Sequence, residues 1–200
     1  MQQAMDTIDF LPHYKVVLLG NSGCGKTSII CRYVSDQFAT ETKATVGGNH
    51  QRKRVILENG PVDLFIWDTA GQERFQALMP LYARSSDCAV VTVSINDSGS
   101  FQAIDQWVEL IKSACSPIPP IVLAVNKMDD FEHCAMTIEE VSNTYRNKFK
   151  GIFFISALSG ENVDQLFSFV ALEAMRFSNV NTQVESIKEV APTAKGSNCC

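Results

Sequence analysis

Residues 20–27 read G-N-S-G-C-G-K-T and match the phosphate-loop pattern G-x₄-G-K-[ST]. The apolar run 14–19 precedes this segment, and apolar residues at helical spacing follow it over 26–34. Glycines let backbone N–H groups surround a β-phosphate, and the start of a helix adds partial positive charge. Lys26 adds a full charge, and the Thr27 hydroxyl is an oxygen ligand of the kind that Mg²⁺ prefers. The segment predicts a site for a nucleotide with Mg²⁺; a glycine-rich turn without a ligand is the alternative.

A phosphate loop alone does not identify the base, since kinases, ATPases and GTPases share it. Residues 126–129 read N-K-M-D and follow a predicted strand at 121–125, where open α/β sheets bind ligands. The Asp129 carboxylate can accept from N1–H and the 2-amino group of guanine, whereas adenine offers neither donor. A polar site left unpaired in this way can discriminate by about 10⁴ or more. The segment 156–158, S-A-L, is a weaker signal that would present the Ala157 N–H to guanine O6, so guanine is the predicted base.

A third segment, 67–73, reads W-D-T-A-G-Q-E. Asp68 is predicted to hold Mg²⁺ through water, and the Gly71 amide to meet a γ-phosphate. The Gln72 carboxamide can orient an attacking water, which matters because phosphoryl transfer is catalysed by positioning and charge stabilisation. Gln72 and Lys26 are therefore the predicted catalytic residues, although Gln72 alone would be read as a solvated surface side chain.

The elements that must position these residues alternate between strands and helices, which predicts a mostly parallel sheet. Asn59-Gly60 predicts the turn of an antiparallel hairpin. The fold class is therefore α/β, with a mixed six-stranded, mostly parallel sheet, one antiparallel edge strand and helices on both faces. Predicted strands lie at 14–19, 50–58, 62–67, 88–93, 121–125 and 152–155. Predicted helices lie at 26–34, 100–114, 137–149 and 162–176.

Composition limits the classes of function. The chain has 200 residues, 46% of them hydrophobic, which suits one globular domain, and we expect a monomer. A net charge of −5 leaves no broad basic surface, so no nucleic-acid partner is predicted. The seven cysteines show no zinc-ligand spacing, and the N-terminus shows no signal sequence, so a cytoplasmic protein with reduced thiols is expected. No apolar run approaches the roughly 20 residues of a membrane span.

Five segments of the chain resemble, in order, the signature segments of Ras-like small GTPases. The string W-D-T-A-G-Q-E-R-F and the terminal Cys199-Cys200 resemble the Rab subfamily in particular. The resemblance covers 14–177 and implies the P-loop NTPase fold and hydrolysis of GTP to GDP and phosphate. It also implies an N-terminal extension at 1–12, a GTPase domain at 13–177 and a flexible tail at 178–200. The five segments are 20–27, 45–47, 68–73, 126–129 and 156–157.

The resemblance assigns individual residues as well. Thr45, eighteen residues after Thr27, is implied to join Thr27 and Asp68 around Mg²⁺ when the γ-phosphate is present. Phe38 and Lys127 are implied to cover the two faces of guanine, an exposed loop phenylalanine being the alternative for Phe38. The predicted nucleotide-binding set is Ser22, Gly23, Cys24, Gly25, Lys26, Thr27, Ser28, Phe38, Thr45, Gly71, Asn126, Lys127, Asp129, Ser156, Ala157 and Leu158.

Two switch segments, 37–47 and 70–82, are implied to relax when the γ-phosphate leaves, which changes a binding surface. The first contains Lys43 but no arginine, so intrinsic turnover should be slow, about 10⁻⁴ s⁻¹. The partners implied are an exchange factor, a GTPase-activating protein, a GDP-dissociation inhibitor or escort protein, and effectors that read the switch segments. The process implied is intracellular vesicle trafficking.

Rab proteins carry geranylgeranyl groups on paired C-terminal cysteines, which here would be Cys199 and Cys200. Two lipid chains give stable anchoring, so the chain is expected to cycle between the cytoplasm and the cytoplasmic face of an intracellular membrane. Two unmodified terminal thiols are the alternative.

The chain departs from the Rab pattern at 47–50, G-G-N-H, where His50 stands in place of a large apolar residue. With Trp67 and Tyr82 it would complete the surface triad that effectors read. Ser22, near the expected γ-phosphate, is also notable. These features leave open a non-catalytic GTP-binding adaptor, whereas a nucleotide kinase would leave 126–129 unexplained.

Overall fold

The computed structural model describes residues 11–39, 45, 48–71 and 77–190, with only the backbone described over 183–190. Six strands form a sheet in the order β2-β3-β1-β4-β5-β6, in which β2 and β3 are antiparallel and the other neighbours are parallel. The sheet confirms the predicted fold class. The strands are β1 (His13–Leu19), β2 (Gly48–Leu57), β3 (Gly60–Thr69), β4 (Cys88–Ser94), β5 (Ile121–Asn126) and β6 (Ile152–Phe154). The helices are α1 (Lys26–Ser35), α2 (Met79–Ala83), α3 (Ser98–Gln102), α4 (Ile104–Ala114), a 3₁₀ helix at Met128–His133, α5 (Ile138–Tyr145) and α6 (Val163–Val190).

The sheet is covered on both faces, which explains why β1 is apolar along most of its length. Successive side chains of a strand point to opposite faces. Val16 and Leu18 belong to the core beneath α1 and α6, whereas Val17 and Leu19 belong to the core beneath α2 to α5. All four are completely buried. A continuous apolar run is the pattern of a strand in a parallel sheet with helices on both sides.

Polar residues collect at the carboxyl ends of the strands. Gly20 follows β1, Asp68 lies near the end of β3, Asn126 ends β5, and Ser156 comes shortly after β6. These strands are parallel, so all four residues reach the same edge of the sheet. Open α/β sheets bind their ligands at this edge.

Two predicted helices are shorter or more divided than expected. The helix predicted at 100–114 is two helices that meet at Ala103, and the Asp97 side chain caps the first by accepting from the Gly99 N–H. The helix predicted at 137–149 ends at Tyr145. α2 and the 3₁₀ helix were not predicted, because elements of five or six residues are too short to show a helical period.

The hairpin is present, but its turn lies one residue earlier than predicted. Glu58 and Asn59 form the turn, and Gly60 already pairs with Leu57 as the first residue of β3. Gly60 has a φ of 115°, a conformation that favours glycine, so the glycine is needed where the new strand begins.

The last helix corrects a prediction. α6 runs from Val163 to Val190, so its predicted end at residue 176 is wrong, and 178–190, predicted as part of the flexible tail, belongs to this helix. The segment Ser178–Val190 lacks a clear apolar period, yet it contains no proline or glycine to stop a helix, and Pro192 is the first such residue. The division of the chain into extension, domain and tail stays a prediction.

Candidate functional site

A cavity of about 410 Å³ opens at the carboxyl edge of the sheet, within the range of small-molecule sites. Every predicted nucleotide-binding residue except Cys24 and Ser156 lines it. Ala39 and Thr69 also line it and were not predicted as binding residues, although each lies inside a predicted segment. The described lining is Ser22, Gly23, Gly25, Lys26, Thr27, Ser28, Phe38, Ala39, Thr45, Thr69, Gly71, Asn126, Lys127, Asp129, Ala157 and Leu158.

The loop between β1 and α1 presents a helix N-terminus to the cavity. Gly25 precedes α1 with a φ of 95°, and a Cβ there would lie 2.3 Å from the Asn126 amide nitrogen. No side chain caps the helix and no acidic residue lies in its first turn. The first N–H groups of α1 therefore remain available to an anion. Lys26 is 5% exposed, and its ammonium donates to the carbonyls of Gly20 (2.7 Å) and Asn21 (2.9 Å).

Asn21 anchors this loop to the helices on one side of the sheet. Its Oδ1 accepts from the indole N–H of Trp107 on α4 (3.0 Å), and its Nδ2 donates to the Gly99 carbonyl in α3 (3.3 Å). The fully buried Cys24 thiol donates to the Asn21 carbonyl (2.9 Å), and burial raises its pKa. The thiol of Cys24 therefore braces the loop from within, and only the backbone of Cys24 is left to serve its predicted binding role.

The three predicted Mg²⁺ ligands lie together. The Thr27 hydroxyl donates to Asp68 Oδ2 at 2.7 Å, and the Thr27 and Thr45 hydroxyl oxygens are 3.0 Å apart. Asp68 is 7% exposed, and burial raises the pKa of its carboxyl despite the opposing effects of the Thr27 hydrogen bond and the nearby Lys26. Among the described residues, nothing hydrogen-bonds to Asp68 Oδ1, which is also buried. A buried carboxylate oxygen without a partner, beside two hydroxyls, suits a small hard cation.

Hydrogen bonds from the Asn126 and Ser156 side chains fix the other end of the cavity. Asn126 is 2% exposed; its Nδ2 donates to the Cys24 carbonyl (2.9 Å), and its Oδ1 accepts from the Ala157 N–H (3.1 Å). The Ser156 hydroxyl donates to Asp129 Oδ1. Ser156 thus supports Asp129 from below instead of lining the cavity. The Ala157 N–H, predicted to meet guanine O6, already has a protein partner.

Gly71 touches the phosphate loop across the cavity. A Cβ on Gly71 would lie 2.5 Å from the Ser22 amide nitrogen and 2.6 Å from the Lys26 ammonium. Only a residue without a side chain can bring its amide so close to the loop. Its neighbour Gln72 lies outside the described residues, as do 40–44, 46–47 and the terminal 191–200.

An aromatic surface lies beside the cavity, formed by His50, Trp67 and Tyr82. The His50 and Trp67 rings are stacked with centroids 5.0 Å apart, and the Trp67 and Tyr82 rings are tilted at 5.9 Å. A Cβ on Gly48 would lie 2.5 Å from the Tyr82 ring, so the glycine at the start of β2 makes room for this packing. The Lys15 ammonium lies 4.8 Å from the Trp67 ring centroid, within cation–π distance. The predicted triad therefore comes together in the fold.

Comparison with known proteins identifies the family. The model of the Ras family matches residues 15–176. The chain is 38% identical over 167 residues to "Ypt/Rab-type GTPase avaA" of Emericella nidulans, covering 80% of this chain and 82% of that protein. It is 32% identical over 196 residues to "Ras-related protein Rab-7a" of Dictyostelium discoideum, covering 93% and 96%. The chain is a Rab-type small GTPase of the Ras family.

Family membership establishes the chemistry in outline. Proteins of the Ras family bind GTP and GDP, generally with Mg²⁺, and this Rab-type GTPase hydrolyses GTP as a switch in vesicle trafficking. It is therefore an enzyme, rather than the non-catalytic adaptor or nucleotide kinase that the sequence left open. Regulators and effectors in general belong to such a switch. Within the described residues, no helix has both the length and the apolar character to cross a bilayer.

Proposed function

We propose that this Rab-type GTPase is a slow, membrane-anchored switch that binds GTP and GDP with Mg²⁺ in the 410 Å³ cavity. The observation that carries the proposal is that one cavity has positively charged groups at one end and a carboxylate at the other. Two groups suited to binding phosphate, the Lys26 ammonium and the N-terminus of α1, lie at one end. The Asp129 carboxylate lies at the other.

At the phosphate end, the loop N–H groups and Lys26 would hold the β- and γ-phosphates. Thr27 and Thr45 would ligate Mg²⁺ directly and Asp68 through water, and their mutual contacts support this assignment. When bound, Mg²⁺ would neutralise charge on the phosphates. The Gly71 amide would contact the γ-phosphate, because Gly71 already lies against the phosphate loop.

At the base end, Asp129 would accept from N1–H and the 2-amino group of guanine. Ser156 keeps this carboxylate in place through its hydroxyl. Phe38 and Lys127 line the same cavity and would cover the two faces of the ring. The amides of Ala157 and Leu158 are the nearest backbone donors for O6, and the Ala157 N–H would have to share or leave its Asn126 partner.

Hydrolysis would depend on Gln72 to orient the attacking water. Lys26 would stabilise charge on the phosphoryl group. The first switch segment contains no arginine, so intrinsic hydrolysis would be slow until an activating protein supplies a cation. Loss of the γ-phosphate would release Thr45 and Gly71, and with them the two switch segments.

The partners proposed are an exchange factor, a GTPase-activating protein, a GDP-dissociation inhibitor or escort protein, and effectors. The aromatic surface of His50, Trp67 and Tyr82 would be part of the effector site. An imidazole in place of a large apolar side chain offers a hydrogen bond to a partner. Effectors that bind this chain should therefore present a polar or acidic group opposite His50.

Anchoring is proposed through geranylgeranyl groups on Cys199 and Cys200. Two lipid groups give lasting membrane attachment, whereas a single lipid group gives only marginal binding. Comparison of the intact chain with a chain in which both cysteines are serine, by flotation with vesicles after prenylation, tests this. Equal flotation of the two chains would contradict the proposal.

The catalytic assignment is tested by single-turnover phosphate release from Gln72→Leu. Hydrolysis should slow by about tenfold or more, as expected when a positioning group is lost, while GTP affinity stays nearly unchanged. Gln106→Leu, at an exposed glutamine of α4, is the matched control and should hydrolyse like the wild type. Equal rates for all three proteins would remove Gln72 from its proposed role.

Base recognition is tested by Asp129→Asn, which replaces an acceptor pair with one acceptor and one donor. Preference should shift from guanine toward xanthine nucleotides, by up to about 10⁴ in relative affinity. Asp130→Asn makes the same chemical change one residue later and should leave guanine preference intact. Guanine selectivity that survives Asp129→Asn would show that another group reads the base.

A further inference from the structure

Arg32 lies on α1 behind the base end of the cavity and binds the backbone with its whole guanidinium group. Its Nε donates to the Ala157 carbonyl at 3.0 Å, and its Nη2 donates to the Leu158 carbonyl at 2.7 Å. Its Nη1 donates to the Asp36 carbonyl at 3.0 Å and to Asp36 Oδ1 at 2.9 Å. The Arg32 side chain is only 17% exposed, and its bond to the Ala157 carbonyl is partly buried, whereas the bonds to Leu158 and Asp36 lie at the surface.

These contacts join two separate walls of the base end. Ala157 and Leu158 belong to the loop after β6, and both line the cavity. Asp36 caps the end of α1 with a φ of 53° and stands two residues before Phe38, which lines the same cavity. A single planar cation therefore fixes the spacing between the loop after β6 and the segment that carries Phe38.

The contacts also set the direction of a backbone donor. In a trans peptide the C=O and the following N–H point in opposite directions. Because the Ala157 carbonyl points to Arg32, the Leu158 N–H points away from Arg32. The Ala157 N–H is bonded to Asn126. The orientation of the amides available to the base thus depends on Arg32.

We propose that Arg32 is a positioning residue for guanine recognition, which holds the Ala157–Leu158 amides at the distance and angle that O6 requires. The inference rests on the proposed binding of guanine nucleotide in this cavity. Arginine suits the role because its planar fork has five N–H donors in fixed directions, whereas a lysine ammonium cannot reach three carbonyls on two walls. Nothing in the sequence singles Arg32 out from a solvated helix arginine.

The first test compares GDP dissociation from wild type, Arg32→Leu and Arg32→Lys, using a fluorescent GDP and excess unlabelled GDP. Loss of hydrogen bonds from a charged group should speed release by about 10- to 100-fold. Arg32→Lys should show most of this change, because charge alone does not replace the fork. Single-turnover hydrolysis of GTP already bound should stay nearly unchanged, since the phosphate end keeps its contacts. Arg176→Leu, at an exposed arginine of α6, should release GDP like the wild type.

A second test separates positioning from general loosening. In 6-thio-GDP a sulfur, which is a weaker hydrogen-bond acceptor, replaces O6 while N1–H and the 2-amino group remain, so the affinity for GDP divided by the affinity for 6-thio-GDP measures the O6 contact. That ratio should be large in the wild type and should shrink toward one in Arg32→Leu and Arg32→Lys, because the amides are already displaced. A ratio equal to the wild-type value in the variants would overturn the proposal, as would a wild type that binds both nucleotides equally.

The outcomes distinguish this inference from the proposed function. A wild-type chain that binds no GDP would refute the proposed site itself. A wild type that binds GDP, with folded Arg32 variants that match it in release and in base ratio, would refute only the role of Arg32. Circular dichroism checks folding, and if Arg32→Leu fails to fold, Arg32→Lys decides the question by the same two measurements.

Discussion

Asp63 and Asp68 lie on the same strand, β3, and are almost equally buried at 4% and 7% exposure. Their surroundings differ in kind. Asp63 accepts hydrogen bonds from Arg52 and, at 3.1 Å, from Arg54, both on the neighbouring β2. These two hydrogen bonds hold the pKa of its carboxyl below the ordinary value. Asp63 is thus a carboxylate whose charge the protein itself satisfies.

Asp68 has no such pair. One of its oxygens accepts from the Thr27 hydroxyl, and the other has no partner among the described residues. Burial raises the pKa of this carboxyl, and the attraction of Lys26 offsets only part of that effect. Burying a carboxylate without a paired cation is costly.

The two carboxylates thus differ in whether the protein itself supplies the neutralising charge. At the start of β3 the chain supplies two cations, and the carboxylate is structural. At the end of β3 it supplies hydroxyls and an open oxygen, the arrangement for a cation from outside. Asp63 should therefore matter for stability, and Asp68 for the metal and the nucleotide.

The largest expected effect concerns Asp68→Asn. This change should lower the affinity for Mg²⁺ by about 10- to 100-fold, as for other groups that hold a metal through water. A chelator should speed GDP release from the wild type and from Asp63→Asn, but should change the release from Asp68→Asn much less. Stopped-flow release with and without chelator measures this. Equal chelator responses in all three proteins would show that Asp68 does not help to hold Mg²⁺.

The next effect is on stability. Asp63→Asn should lower the free energy of unfolding by about 1–3 kcal/mol, because a charged hydrogen-bond acceptor is lost. The arginines are more than half exposed, at 56% and 54%, so water can solvate them and the cost should fall at the low end. Thermal melting at fixed GDP and Mg²⁺ measures the change. Asp105→Asn, at a 77% exposed carboxylate, is the control and should melt like the wild type.

The same pair predicts how stability depends on pH. The pKa of Asp63 is lower in the folded protein than its ordinary value of 3.8, so its contribution is fully present above that value. The contribution is lost as the pH falls through the folded pKa. The difference in melting temperature between wild type and Asp63→Asn should stay constant from neutral pH down to about pH 5 and shrink below about pH 4. A difference that grows in acid would contradict the assigned direction.

The smallest effects belong to the single arginines. Arg52→Gln or Arg54→Gln alone should cost no more than about 1 kcal/mol, since each arginine is well exposed and the other remains on Asp63. The double variant should cost more than the sum, because Asp63 is then buried without a cation. Thermal melting of the wild type, the two single variants and the double variant provides the double-mutant cycle. Strictly additive values would mean that the two arginines stabilise Asp63 independently, so that neither compensates for loss of the other.

The fold was largely predictable because its strands are short apolar runs between glycines and polar residues. Run 14–19 became β1 almost residue for residue. The errors arose where local signals compete or are missing. The break at Ala103 depends on a side-chain cap by Asp97, and the continuation of α6 past residue 176 depends on the absence of a breaker. Apolar periodicity detects neither.

The residues that line the cavity were predictable where one residue type at one spacing suits one chemistry, as for Lys26 and Asp129. Residues that act through each other were not predictable. The Asn21 side chain bonds to residues 78 and 86 positions away, and Arg32 bonds to Ala157 and Leu158 at least 125 positions away, so only the fold brings them together. Ser156 and Cys24 were predicted as binding residues, yet their side chains lie beneath the cavity and support it.

The chain contains two tryptophans, and the fold gives each a separate environment. Trp107 is 5% exposed, and its indole N–H bonds to Asn21 in the phosphate loop. Trp67 lies in the aromatic surface, stacked with His50. The molecule therefore contains two intrinsic optical probes, one against the phosphate loop and one in the aromatic surface. Variants that retain a single tryptophan would let ultraviolet emission follow nucleotide exchange and partner docking in the same protein without a dye.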